Sequence, residues 1–288
     1  MYLESSNFGP QFLRSLLYVA AVQAAYIPEI VFQKDAPSSI GGVASESREC
    51  SAIGRDLLAR GGNAIDALVG TTFCVGVIGM YHSGIGGGGF AMVRDSKGNY
   101  EAIDFRETAP AAAFENMYKE NVNASVRGGL AVGIPSEVRG LEYMHTKYGV
   151  LPWKITMQGA IHVARDGFRV SSDTVRYMNK TLKTAGRSFL LDNPIWAQEF
   201  APGGSLLQEG SHMTRKRYAD TLEKIAEQGA DVFYTGEIAK TLIDYIQETG
   251  GTMTMEDMKN YKVVERPVKH ITYRGLNLYG MGSPPAAP

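Results

Sequence analysis

The stretch His82–Asp95, HSGIGGGGFAMVRD, places five glycines within six residues. Glycine runs of this kind cradle phosphate in nucleotide-binding proteins. Gly84, Gly86 and Gly89 fit G-x-G-x-x-G, and Asp104 stands 20 residues beyond Gly84, where dinucleotide folds carry a ribose-binding acid. The chemistry needs a strand before the glycines and a helix opening directly after them, because the helix N-terminus neutralises the pyrophosphate. Here Phe90–Arg94 and Tyr100–Phe105 are short β-like runs, and the residues between them, DSKGN, are turn chemistry. The segment therefore predicts a hairpin. No Gly-Lys-Ser/Thr follows, so the Walker A alternative fails as well. The glycines are read as a place where the backbone turns tightly and packs closely on a strand.

Working back from the hairpin, two helices precede it. Cys50–Arg60 carries Ile53, Leu57 and Leu58 on one side and stops at Gly61-Gly62. Asn63 then caps Ala64 to about Ile78, with Asp66 three residues on as a capping-box partner. This second helix is apolar on nearly every face, the mark of a core helix, and Gly70, Gly76 and Gly79 punctuate it. Cys50 and Cys74 fall on these consecutive helices. An αα-hairpin brings its outer ends together, so a bridge between them is expected, two reduced buried thiols being the alternative.

Working forward, a helix begins near Ser136 with Glu137 in its first turn. Another carries Met157, Ala160, Ile161 and Ala164 on one face and stops at Gly167. Helices follow at Tyr218–Gln228 and Glu237–Glu248, and a β-like pair at Val268–Tyr273 and Leu276–Tyr279 ends the chain. Strands towards both ends with helices between indicate an α+β or layered αββα fold.

Composition narrows the function classes. The 288 residues are 44% hydrophobic and 20% charged, enough for one large core or two modest ones. A net charge of −1 gives no electrostatic case for nucleic acid. The five histidines, at 82, 145, 162, 212 and 270, form no ligand motif, and nothing implies a metal or a cofactor. Ser15–Ile27 is an uncharged, mostly apolar run after Arg14, suited to a signal h-region with Val22 and Ala24 at the −3 and −1 positions of a cleavage site. An uncleaved membrane anchor or a buried helix are the alternatives. With glycosylation sequons at Asn123 and Asn179, the expectation is the secretory pathway, the product being extracellular, membrane-anchored or vacuolar. Residues 1–43 are read as this segment and a linker, and 44–288 as one domain.

No segment holds a complete catalytic set: there is no G-x-S-x-G, no clustered carboxylate pair and no cysteine with an evident base. Several segments together nevertheless resemble the large subunit of γ-glutamyltranspeptidases, also called glutathione hydrolases. They are CSAIGRDLLARGGNAIDALVGTTFCVGV, HSGIGGGGFAMVRD, AIDFRETAPAAAFENMY, GGLAVGIPSEVRGLEYMHTKYG, ARDGFRVS and GGTMTMEDMKNY, in the family's order, from about Ala44 to the C-terminus. The resemblance implies the N-terminal nucleophile hydrolase sandwich, αββα. It implies a precursor that cleaves itself ahead of a threonine. That threonine heads the small subunit and attacks the γ-glutamyl carbonyl with its own amine as base. Glutathione and other γ-glutamyl compounds are the implied substrates, with water, amino acids or dipeptides as acceptors.

The chain ends at YGMGSPPAAP, before the family's threonine. The reading is of an incomplete large-subunit portion, inactive alone, with a non-catalytic truncated product or a secreted binding protein as alternatives. One site residue is implied within it. The arginine of the RETAP segment, Arg106, holds the substrate's α-carboxylate in the family. A guanidinium grips a carboxylate through two parallel hydrogen bonds. The plainer reading is a surface pair with Asp104 or Glu107.

Overall fold

The computed structural model describes residues 41–185 and 189–282. The signal-like run at Ser15–Ile27 lies outside these residues. The chain runs through helices α1 (Arg48–Ala59) and α2 (Ala64–Ile78), then strands β1 (Gly89–Arg94) and β2 (Tyr100–Phe105). Two short 3-10 turns, at Val122–Ser125 and Gly129–Ala131, lead to α3 (Glu137–Tyr148), α4 (Trp153–Asp166), β3 (Phe168–Arg169) and α5 (Ser172–Ala185). Next come α6 (Phe189–Asp192), α7 (Pro194–Phe200), β4 (His212–Met213), α8 (Lys216–Gln228), α9 (Asp231–Tyr234), α10 (Glu237–Glu248) and α11 (Met255–Asn260). Strands β5 (Val264–Arg266), β6 (Val268–Tyr273) and β7 (Leu276–Met281) close the described chain. The fold class is α+β, as the sequence indicates.

The core is built around α2. Val69, Phe73, Cys74 and Val77 are wholly buried, so the all-round apolar sequence is that of a helix enclosed by neighbours. α1 and α4 pack on it, and α8 packs on α4. The Phe73 ring meets Trp153 edge-on at 5.7 Å, and Trp153 donates its indole N–H to the Ile225 carbonyl at 3.1 Å. The capping box at Asn63 and Asp66 forms as expected. Asp66 does more than cap. Fully buried, it also accepts from the amides of Val150 and Leu151 at 3.2 and 3.3 Å, tying the α3–α4 loop to the start of α2. On α4, Met157, Ala160 and Ala164 are buried as the spacing requires, while Ile161 is half-buried.

Cys50 and Cys74 are bridged, with Cα atoms 5.3 Å apart and a separation of 24 positions in sequence. Ser47 caps α1, its side chain accepting from the Cys50 amide, so the helix starts two residues before the expected Cys50. Closing a loop of this length stabilises the fold by about 3 kcal/mol in the chain-entropy account. Replacing both cysteines by serine is expected to lower the denaturation midpoint accordingly. Equilibrium unfolding of the two forms checks it, and equal midpoints would contradict the bridge.

The main sheet has the order β1-β2-β5, antiparallel throughout. Glu101 to Phe105 of β2 are all buried. Phe105 faces α3, where Gly140 lets the helix lie against its ring, since any side chain there would strike the ring. The opposite side of β1 leaves Phe90 and Met92 exposed. The β6–β7 hairpin pairs only with itself and is exposed along nearly its whole length. No helix among the described residues is long and apolar enough to cross a membrane.

Candidate functional site

The glycine loop lies between the end of α2 and the start of β1, seated on the N-terminus of α3. The Gly87 carbonyl accepts from the amides of Ser136 and Glu137, both at 2.8 Å. Ser136 Oγ lies 3.1 Å from that carbonyl and 2.6 Å from the carbonyl of Phe105, binding loop and strand end together. The first amides of a helix have no partner within it and are what a phosphate would use. Here the loop's own carbonyl occupies them, which is the physical reason the nucleotide reading fails. Asp104, the would-be ribose acid, is taken up by Arg266, whose Nε and Nη2 lie 2.9 and 2.8 Å from Oδ2.

Gly88 shows how close the packing is. A Cβ at this position would run into Ser136 Oγ and the Phe105 carbonyl, whereas one at Gly86 would meet nothing within 4 Å. Gly88→Ala is expected to cost about 1–3 kcal/mol through overpacking, and Gly86→Ala within about 0.5 kcal/mol of nothing. Thermal melts of the pair check this, and equal losses would mean the loop is not packed on α3 as described.

Arg106 leaves the end of β2 with a fixed backbone. Its amide donates to Asp104 Oδ1 at 3.0 Å, and its carbonyl accepts from the Tyr261 hydroxyl at 3.0 Å. A bridge between Thr108 and Ile134 anchors the next turn, the Ile134 amide donating to the Thr108 carbonyl at 2.8 Å. The side chain is 59% exposed and lines a cleft of about 390 Å³ floored by the glycine loop. Its ion partner is Glu107, with Nη1 3.2 Å from Oε2. Asp104 binds the Arg106 backbone and not its side chain. The pair with Glu107 that the plainer reading names is present, and the largely exposed side chain also lines the cleft.

The other walls hold groups that sequence reasoning did not single out. Arg215 donates through Nη1 to the carbonyls of Gly76 and Val77, at 3.0 and 3.2 Å, closing the end of α2. It stacks on Tyr218 at 4.1 Å and pairs with Glu199 at 3.2 Å. The Tyr218 hydroxyl accepts from the Ile85 amide at 3.4 Å, and burial pushes its pKa up to about 12. Tyr81 and His82 form the rim. The Tyr81 ring stacks on Tyr177 at 4.4 Å, and His82 Nε2 lies 2.6 Å from Glu46 Oε2. Glu137, 4% exposed, lies in the cleft wall, and burial pushes its carboxyl up to about 7 against the opposing pull of the Gly84 amide, with Glu107 adding to the rise. Glu137 Oε1 and Glu107 Oε2 are both buried without a hydrogen bond. The Arg106 contact to Glu107 is a charge contact lacking hydrogen-bond alignment.

The remaining expected residues lie away from the cleft. Asn123 sits in the 3-10 turn and Asn179 on α5, both exposed. His145 and Asp66 are 3.6 Å apart inside the fold, and His162 pairs with Asp166 on the surface of α4. Among the described residues no group of three His, Cys, Asp or Glu side chains is placed to hold a metal. A helix-initial acid such as Glu137 reads in sequence as a solvated first-turn charge. Only the tertiary packing of the loop over it reveals that it is buried.

Comparison with known proteins places this geometry. Residues 50–287 match the family model for gamma-glutamyltranspeptidase. The chain is 48% identical over 253 residues to a glutathione hydrolase of Aspergillus flavus, covering 88% of this chain and 42% of that one. It is likewise 48% identical over 275 residues to a glutathione hydrolase proenzyme of Arthroderma benhamiae, covering 88% and 46%. The chain thus spans under half the length of these relatives. The solved γ-glutamyltranspeptidase of Helicobacter pylori superimposes with a TM-score of 0.80 at 34% identity, covering 87% of this chain and 72% of that one. The fold expected from the resemblance is therefore shared with this solved relative, and the chain belongs to the γ-glutamyltranspeptidase family.

Proposed function

We propose that residues 44–288 form the carboxylate-binding portion of a γ-glutamyltransferase, or glutathione hydrolase, that cleaves the γ-glutamyl bond of glutathione and related compounds. The observation that carries the reading is Arg106: fixed in backbone, largely unmasked in side chain, and set in a cleft of a size suited to one small molecule. A guanidinium so placed recognises a carboxylate by geometry as well as charge. Exposed Phe90 and Met92 on the sheet, and Ile271 and Leu276 on the hairpin, support a second layer packing here. On this reading that layer belongs to the remaining length of the relatives and brings the nucleophilic threonine with it. The polypeptide of 288 residues alone then turns over no γ-glutamyl substrate, since nucleophile and base are one residue outside it. The exposed sequons at Asn123 and Asn179 support passage through the secretory pathway with glycans at both sites.

Completing the chain with the remaining segment of the Aspergillus flavus relative tests the reading. A γ-glutamyl anilide should be hydrolysed by the completed protein and not by the 288 residues alone. A completed protein that folds, cleaves itself and releases no anilide would overturn it.

A further inference from the structure

Glu137 does nothing that the reading above requires, yet it is the most constrained charge in the cleft. Its backbone amide holds the Gly87 carbonyl at 2.8 Å and its side chain meets the Gly84 amide, so one residue grips both ends of the glycine turn. The start of α3 would ordinarily favour a negative charge through the helix dipole, but its first amides are already spent on Gly87. Oε1 is buried and has no partner. The charged and titratable groups facing it offer no compensation. Glu107 adds a like charge from the segment after β2, and the buried Tyr218 presents a neutral hydroxyl from α8. Arg215 is turned to Glu199 and to the carbonyls of α2, and Arg106 to Glu107. An ionised carboxylate here would be a buried charge without a counter-ion, which proteins avoid by keeping the proton.

We propose that Glu137 is the positioning residue of this cleft: it carries a proton while the glycine loop is closed over it, and its ionisation releases the loop. A protonated carboxyl keeps one oxygen for the Gly84 amide and turns the other from an uncompensated anion into a hydroxyl. Loss of the proton sets a second carboxylate beside Glu107, and the repulsion falls on the glycine turn seated against both. One consequence rests on the reading of Arg106 as the carboxylate site. Ionised Glu137 then opposes the incoming carboxylate, so the ligand and the proton favour the same closed cleft.

The test uses the 288-residue chain carrying 13C in its glutamate carboxyls and 15N in its glycines, titrated by NMR from about pH 5 to about pH 9. One glutamate carboxyl is expected to titrate near neutrality, with the amides of Gly84 and Gly87 shifting at the same midpoint. Both transitions should vanish in Glu137→Gln. In Glu107→Gln the midpoint should fall while carboxyl and amides stay coupled, and this variant decides the matter should Glu137→Gln not fold. The proposal is overturned if every glutamate titrates in the ordinary carboxylate range, if Gly84 and Gly87 stay still while a carboxyl titrates, or if the midpoint is unmoved in Glu107→Gln. None of these readouts involves a ligand. Failure of the chain to bind a γ-glutamyl compound would count against the Arg106 reading alone.

Discussion

Arg106→Ala, in the chain completed with the rest of the Aspergillus flavus relative, is expected to lower kcat/KM for a γ-glutamyl donor by about 30- to several-thousand-fold. Removing one partner of a desolvated charge pair costs about 2–5 kcal/mol, much of it from leaving the other charge buried and unpaired. Self-cleavage of the precursor should be untouched, because Arg106 points into the cleft and its structural contacts are made by its backbone. The Asp104 and Tyr261 hydrogen bonds survive truncation of the side chain. The Glu107 contact that is lost is a partly exposed one, of the kind worth little to stability. Arg106→Lys should recover part of the rate, since an ammonium supplies the charge and not the planar fork. Steady-state kinetics on the three proteins, with the extent of precursor cleavage measured alongside, separates substrate binding from damage to the fold.

The second large effect is on stability and comes from Glu137. Its carboxyl rises from 4.5 to about 7 on folding. Between those values the folded chain holds a proton that the unfolded chain has released, so stability falls as pH rises. The contribution is complete below pH 4.5, declines across the window and is gone above about 7, a total of roughly 3–4 kcal/mol at 1.36 kcal/mol per pH unit. Carboxyls held low, such as Glu101 with its Lys147 and tyrosine partners, push the other way, losing stability as pH falls. The informative quantity is therefore a difference. Urea unfolding of wild type and Glu137→Gln, from about pH 5 to about pH 8, should show the wild type losing stability relative to the variant by most of that amount. Parallel curves would mean that Glu137 is ionised in the folded chain.

Much of the fold can be read from local chemistry. The α1–α2 hairpin is announced by Gly61-Gly62 and by the Asn63–Asp66 box, and the glycine loop by the absence of any helix pattern after Gly89. α2 begins at its Asn63 cap and ends at Ile78, and α10 spans the expected Glu237–Glu248. The short helices α6, α7, α9 and α11 escape such reading because four to seven residues hold too little period. The Asn193-Pro194 start and the Thr254–Asp257 box were legible but had no apolar run to attach to. Strand β5 has no pattern of its own. It is a strand because β2 offers it an edge and Asp104 holds Arg266 there.

The site was less legible. Arg106 comes forward through resemblance alone, since nothing in RETAP distinguishes it from a solvated arginine. The groups around it, Glu107, Glu137, Arg215 and Tyr218, are separated by as much as 111 positions in the chain and are gathered only by the seating of the loop on α3 and α8. Burial, which gives Glu137 its chemistry, is a property of that assembly and not of the segment that carries it.

Whether Arg106 receives the α-carboxylate of a γ-glutamyl group is decided by a two-by-two kinetic comparison. Wild-type and Arg106→Ala forms of the completed protein are each assayed with a γ-glutamyl donor and with its analogue lacking the α-carboxylate. The analogue should be a poor substrate for the wild type and lose little further in the variant. If the variant loses the same factor with both donors, Arg106 supports the fold and the carboxylate is held elsewhere.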